Sequence, residues 1–259
     1  MFHRQLSQNR NLRQEYNPPV NRFELIPFTS ADALAAAVSS TWLDEIAAAN
    51  RSGKSHFVAL SGGRITLKFF AAVIEQSKAR NISLSNIHFF WADERCVPPD
   101  DKESSYAAAA EHFFRPLGIT PDKIHRILGE LSPERAVQLA TEDIQKTVPC
   151  NAAGQPTLDI VFLGMGEDGH VASLFPEEPE ATRLPPAIYR AISNSPKPPP
   201  NRVTLGYDAI AAAKNVWVLA SGAGKEAVLR ESLSPEGKTP FARVLKMSRT
   251  AKVFTDIKV

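Results

Sequence analysis

Leu158-Asp159-Ile160-Val161-Phe162-Leu163-Gly164-Met165-Gly166-Glu167-Asp168-Gly169-His170 is the stretch whose reading decides the fold. Its first six residues form a short apolar run rich in β-branched and aromatic side chains, the pattern of a strand buried on both faces. Gly164 and Gly166 then break the run, and Glu167-Asp168-Gly169-His170 follows where the chain must turn. A buried strand that ends in glycines and delivers an Asp and a His places polar groups at the carboxyl edge of a sheet. Open α/β folds bind their ligands at that edge.

Gly164, Gly166 and Gly169 also satisfy G-x-G-x-x-G. A dinucleotide site needs a helix directly after the last glycine and an acidic residue about 20 positions on. Here Val171 to Phe175 runs into Pro176, Pro179, Pro185 and Pro186, so no long helix follows. The match also falls late in the chain, which leaves little room for a second mononucleotide half. The glycines are better read as allowing close backbone approach to a small ligand.

Strands and helices alternate outward from this stretch. Phe23–Phe28, His56–Leu60, Ile87–Ala92, Val216–Ala220 and Lys252–Phe254 read as strands, with an edge strand over Ala187–Ile192 and another at Val203–Leu205. Helices are expected over 33–49, capped by Ser30 with Asp32, and over 65–78, 105–114, 134–148, 209–213 and 225–232. Pro185 to Pro200 is proline-rich and reads as loop or edge strand. The pattern predicts one α/β domain over 22–259, a doubly wound, mostly parallel sheet with helices on both faces. Residues 1–21 are polar and read as a loose N-terminal arm.

The 259 residues carry 30 basic and 28 acidic side chains, so the net charge of +2 implies no bulk polyanion and argues against a nucleic-acid partner. The polar start lacks the apolar core of a signal peptide, and no apolar run approaches the roughly 20 residues that span a bilayer. Cys96 and Cys150 are too few for a disulfide scaffold or a thiolate metal site, so a cytoplasmic protein is expected. Composition leaves monomer and small homo-oligomer open.

His170 is the strongest candidate for chemistry, since an imidazole can accept a proton from water near neutral pH. Asp168, two residues earlier, could orient it; a structural histidine in a tight turn fits the same spacing. Ser61-Gly62-Gly63, between a strand and a helix, could aim backbone N–H groups at a phosphate, with Arg64 adding charge or pointing to solvent. Asp93-Glu94-Arg95 sets three charges at one strand end, and in isolation a surface ion pair explains them. Ser221-Gly222-Ala223-Gly224-Lys225 lacks the first glycine and the hydroxyl of a nucleotide P-loop, yet Lys225 could still bind a single phosphate. Arg202 is another candidate phosphate clamp. No G-x-S-x-G nucleophile elbow and no H-E-x-x-H zinc motif occurs. Together the strand ends suit a small phosphorylated substrate and either an activated water or a proton shuttle.

In order along the chain, Leu60-Ser61-Gly62-Gly63, Trp91-Ala92-Asp93-Glu94-Arg95 with Val97-Pro98, residues 163–170 with Ala172-Ser173-Leu174-Phe175-Pro176, Arg202-Val203-Thr204-Leu205, and Ser221-Gly222 with Lys225 resemble the 6-phosphogluconolactonases. These belong to a larger group with the glucosamine-6-phosphate deaminases. The deaminases carry Asp-Glu-Tyr at positions 93–95 and an Ala-Phe-Asn-Glu-Pro type sequence after Asp-Gly-His, so both differences point to the lactonase branch. The resemblance implies a Rossmann-like fold of the sugar-phosphate isomerase type. It implies hydrolysis of 6-phosphoglucono-δ-lactone in the pentose phosphate pathway, without metal or cofactor.

His170 would take a proton from water with Asp168 assisting. Asp93, Arg95, Gly166 and nearby backbone N–H groups would meet the lactone. Ser61, Gly62, Gly63, Arg64, Arg202 and Lys225 would hold the 6-phosphate. The chain departs from the family at Arg64-Ile65-Thr66, where Ser-Thr-Pro is usual, at Ser104-Ser105, where Ser-Asn is usual, and in its longer arm. A sugar-phosphate isomerase or deaminase, and a sugar-phosphate sensor without turnover, are the alternative readings.

Overall fold

The computed structural model describes residues 23–176 and 187–259. The N-terminal arm expected over 1–21 lies outside the described residues, as do Pro179, Pro185 and Pro186. In chain order the elements are β1 (Phe23–Pro27), α1 (Ala31–Arg51), β2 (His56–Leu60), α2 (Arg64–Ala79), β3 (Ile87–Trp91), β4 (Asp93–Arg95), α3 (Ser105–Ala109) and α4 (Arg115–Leu117). They continue with α5 (Pro133–Thr147), β5 (Ile160–Gly164), β6 (Tyr189–Ile192), β7 (Arg202–Leu205), α6 (Tyr207–Ala212), β8 (Asn215–Ala220), α7 (Glu226–Leu233), α8 (Pro240–Met247) and β9 (Ala251–Thr255).

Six strands form one sheet in the order β1-β9-β8-β5-β2-β3, and every neighbouring pair in it is parallel. Successive side chains of a strand point to opposite faces, and the first four residues of β5 and the last five of β8 are all buried. Both faces of the sheet are therefore covered, which explains the unbroken apolar runs in the sequence. On one face, α1 presents Leu34, Val38, Trp42 and Ile46 at helical spacing, with the Ser30 hydroxyl accepting from the Ala33 N–H at its start. The Trp42 ring meets Phe69 of α2 at 5.5 Å and Phe162 of β5 at 5.1 Å between ring centres.

β2 sends the chain to β3 on one side, whereas β5 lies on its other side. The crevice between the carboxyl ends of β2 and β5 is thus the point where the winding reverses, the position at which such sheets bind ligands. The Ser61 hydroxyl donates to the Phe162 carbonyl at 2.8 Å and pins these two strand ends together.

Three features differ from the sequence expectation. Asp93–Arg95 is a separate strand, β4, which pairs antiparallel with β7 in a second sheet of order β4-β7-β6. Three residues are too few to show a period, and their partners lie more than a hundred positions away. The helix expected over 105–114 stops being α-helical at Ala109 and continues as a π-helical turn over Ala110–Phe114. Finally α8 was not anticipated, although Thr239 caps it by accepting from the Ala242 N–H and Pro240 occupies its first turn.

Candidate active site

A cleft of ≈ 530 Å³ opens at the β2/β5 crevice. Ser61, Gly62, Gly63, Arg64, Asp93, Arg95, Gly166, His170, Arg202 and Lys225 all line it, so the structure brings together every expected site residue except Asp168. Asp168 stands directly behind His170. Its Oδ1 lies 2.5 Å from His170 Nδ1 and also accepts the His170 backbone N–H at 3.2 Å. The carboxylate fixes the imidazole proton on Nδ1, which leaves Nε2 as the acceptor; Nε2 has no hydrogen-bond partner among the described residues.

The turn that carries this pair is closed by backbone bonds from Gly166 N–H to His170 C=O and from Gly169 N–H to Gly166 C=O. Gly166 must be glycine, because a Cβ there would fall 2.0 Å from two ring atoms of His170. Gly169 adopts φ +76 and lies against Thr239, and its carbonyl accepts the Phe241 N–H at 3.0 Å. The helix missed in the sequence, α8, therefore buttresses the turn from beneath. Across the ring, Phe175 packs 4.9 Å from His170.

Burial pushes the His170 pKa below its ordinary value; Lys197 works in the same direction, and Asp168 and Asp93 oppose both without reversing the shift. Burial raises the Asp168 carboxyl, but the hydrogen bond and charge of His170, with Lys197, outweigh it and hold the acid below its usual range. At neutral pH the pair is a neutral imidazole beside a carboxylate, the state a general base needs.

The wall formed by the second sheet follows from strand alternation. Asp93 and Arg95 of β4 face Thr204 and Arg202 of β7 in register, so these four share one side. Glu94 points the other way. It is buried and accepts from the N–H groups of Arg95, Ser105 and Tyr106 and from the Ser104 hydroxyl, which moors α3 to β4. Glu94 is thus a structural anchor, not the surface ion pair its charge suggested. Arg95 gives Nη1 to the Glu103 carbonyl at 2.5 Å and keeps a buried Nε without a partner.

Arg202 needs a correction. It lines the cleft, yet Nε donates to Pro199 C=O and Nη2 to the carbonyls of Lys197 and Pro198, each at 3.1 Å. Its Nη1 faces Ser173 Oγ at 3.4 Å and Asp93 Oδ2 at 4.0 Å. With two of three nitrogens committed to the backbone, the guanidinium cannot close on a phosphate as a fork.

The cleft also has cationic lining. Gly63, at φ +116, opens α2 without any side-chain cap, so the first N–H groups of that helix face outward. Arg64 is exposed in its first turn, and Lys68 lies one turn on along the same face and also lines the cleft. The i, i+4 spacing of Arg64 and Lys68 was the signal by which the sequence could have revealed the latter. Lys225 donates to the Met165 carbonyl at 2.6 Å; burial and the nearby Arg64 charge lower its pKa. Asp256, after β9, receives the Ser221 hydroxyl and the Gly222 N–H and holds that turn in place. Among the described residues no three His, Cys, Asp or Glu side chains are grouped to hold a metal, and no helix is long and apolar enough to cross a membrane.

Comparison with known proteins adds a relation to this geometry. A family profile described as glucosamine-6-phosphate isomerases/6-phosphogluconolactonase matches residues 29–254. The chain is 32% identical to a 6-phosphogluconolactonase of Streptomyces coelicolor over 235 residues, 88% of this chain and 90% of that one. It is 34% identical to a human 6-phosphogluconolactonase over 233 residues, 87% of each. Among solved structures, the 6-phosphogluconolactonase of Trypanosoma brucei superposes with a TM-score of 0.79 at 25% identity, covering 91% of this chain and 97% of that one.

Proposed function

We propose, since the chain belongs to the glucosamine-6-phosphate isomerase/6-phosphogluconolactonase family, that it hydrolyses 6-phosphoglucono-δ-lactone to 6-phosphogluconate in the pentose phosphate pathway. The observation that carries this reading is the His170–Asp168 pair, whose imidazole lines a sugar-sized cleft together with the uncapped helix start at Gly63.

Water bound between Nε2 and the lactone carbonyl loses a proton to His170 as its oxygen attacks C1. The imidazolium that forms is stabilised by the Asp168 carboxylate. The tetrahedral oxyanion meets the positive charge of Arg95, which lines the cleft on the same side of β4 as Asp93. When the bond from C1 to the ring oxygen breaks, His170 returns its proton to that oxygen, and the new carboxylic acid ionises. The open N–H groups at Gly63–Ile65, with Arg64 and Lys225, hold the phosphate and so fix the carbonyl near the base. Here charge from Arg64 takes the place of the family's Ser-Thr hydroxyls, because the Thr66 hydroxyl turns back to the Gly62 carbonyl at 3.2 Å. A sugar-phosphate pathway also suits the cytoplasm, where the free Cys96 and Cys150 stay reduced.

The deaminase alternative is disfavoured by what positions 173–175 do. Ser173 donates to Asp93 at 2.6 Å and Phe175 packs on His170, so the residues that mark the lactonase branch build the base's surroundings. The test offers freshly generated 6-phosphogluconolactone and glucosamine 6-phosphate side by side. Lactone loss far above spontaneous opening, with no ammonia released, is the expected result. Ammonia release would select the deaminase, and binding of 6-phosphogluconate without turnover would select a sensor.

A further inference from the structure

The loop Ser195–Pro200, read in the sequence only as proline-rich, is built around the buried side chain of Arg202. Within it the Ser195 hydroxyl donates to Lys197 C=O and the Ser195 N–H to Pro200 C=O, at 2.9 and 2.8 Å. Pro198, Pro199 and Pro200 have no N–H, so the loop has few donors of its own to fix it. The Arg202 guanidinium supplies the missing ones, gathering the carbonyls of residues 197, 198 and 199. The loop so held carries the Lys197 ammonium to 3.9 Å from Asp168 Oδ1, the same oxygen that faces His170 Nδ1.

We propose that Lys197 is a positioning residue for the proton-transfer pair, its ammonium set beside Asp168 by a loop that the buried Arg202 clamps. The residue acts through Asp168 and does not touch the reacting atoms. Its positive charge favours the Asp168 anion and disfavours a second positive charge on the imidazole, so the base stays free to lower pH.

The groups facing His170 are few. Asp168 lies on its own turn, Lys197 on the clamped loop, and Asp93 on β4 with Arg202 behind it. Glu167 sits beside Asp168 on that turn, and Lys225, which donates to the Met165 carbonyl just before it, feels Arg64, Glu167 and Lys197. Lys197 is the cation that lowers the His170 pKa directly. Because its side chain is 42% exposed, solvent screens the effect, and a modest shift is expected.

The kinetic consequence rests on the lactonase reading, but the electrostatic one does not. The test therefore titrates the His170 ring by NMR in the substrate-free full chain, its resonance identified by loss in His170→Asn. In Lys197→Met the midpoint should rise by on the order of half a pH unit. Lys197→Arg should restore the wild-type midpoint, and 1 M salt should shrink the difference between wild type and Lys197→Met. The acid limb of kcat/KM should move upward with the NMR midpoint while kcat/KM above pH 8 changes little. A merely structural lysine would move neither curve. A midpoint that stays put, or falls, in Lys197→Met while the fold remains intact overturns the proposal. A midpoint that rises in a protein without lactone turnover leaves Lys197 standing and overturns the lactonase reading instead.

Discussion

Two histidine–carboxylate pairs in this chain differ in what they can do. His170 Nδ1 faces Asp168 at 2.5 Å, and His125 Nδ1 faces Asp143 at 2.9 Å. Their side chains are similarly exposed, 18% and 34% in the first pair and 13% and 45% in the second, so burial does not separate them. The far nitrogen does. His170 lines the cleft and its Nε2 has no partner among the described residues, whereas His125 Nε2 lies 2.9 Å from His88 Nδ1, and His88 Nε2 lies 3.3 Å from the Lys123 ammonium. The second pair is a filled chain running from ammonium to carboxylate beside the edge strand β3, with the His125 ring stacked on Phe90 at 4.3 Å. An imidazole backed by a carboxylate can act as a base only where its other nitrogen is left for a ligand.

The largest expected contrast lies in the carboxylates. Asp168→Asn should cut kcat/KM for the lactone strongly, toward the roughly 10⁴-fold that losing the orienting Asp costs a Ser-His-Asp triad. Asp143→Asn should leave it within about twofold, since it lies outside the cleft. Equal losses in the two variants, measured as initial rates, would erase the distinction.

Gly166→Ala sharpens the comparison from the backbone side. Its Cβ would overlap the His170 ring, so the imidazole must swing away from Asp168. Activity should fall at least about tenfold, as geometric misplacement of a catalytic group does. The melting temperature checks that the fold survives, and unchanged kinetics would show that the ring position is not critical.

The smallest effect is a stability difference in the second pair. Burial, then Lys123 and His125, lower the His88 pKa to about 4, against about 6.5 in the unfolded chain. Between these values the unfolded chain binds more protons, so stability falls as pH drops from 6.5 to 4 and this contribution levels off below. With the partial exposure of His88 discounted, the loss is on the order of 1 kcal/mol. His56, also lowered by burial, adds the same sign, so the comparison with His88→Gln is the informative one. Denaturant unfolding across that window should show a shallower pH slope in the variant. A parallel slope would mean His88 is already protonated in the folded protein.

Much of this was legible in the sequence. The runs His56–Leu60 and Ile160–Leu163 are buried on both faces and so announce a parallel sheet, and the glycine turns after them place the ligand edge. His170, Arg95 and Lys225 were singled out at strand ends, and the structure gathers them at one cleft with Asp168 beside His170. What escaped depends on contacts remote in sequence. β4 exists only through its pairing with β7, and the fate of the Arg202 donors depends on a proline loop whose path no local pattern fixes. The buttress from α8 behind Gly169 and the placement of Lys197 at Asp168 belong to the same class. The His125–Asp143 pair was silent for the same reason, since its partners lie 18 positions apart and surround no motif.

The most direct measurement compares His170→Asn with His125→Asn in hydrolysis of freshly generated 6-phosphogluconolactone, each corrected for spontaneous ring opening. The predicted result is a fast wild type, His125→Asn within about twofold of it, and His170→Asn slowed by about 10²–10⁴-fold. A His170→Asn protein that retains wild-type turnover would contradict the assignment of the base. A wild type no faster than the uncatalysed reaction would contradict the lactonase itself.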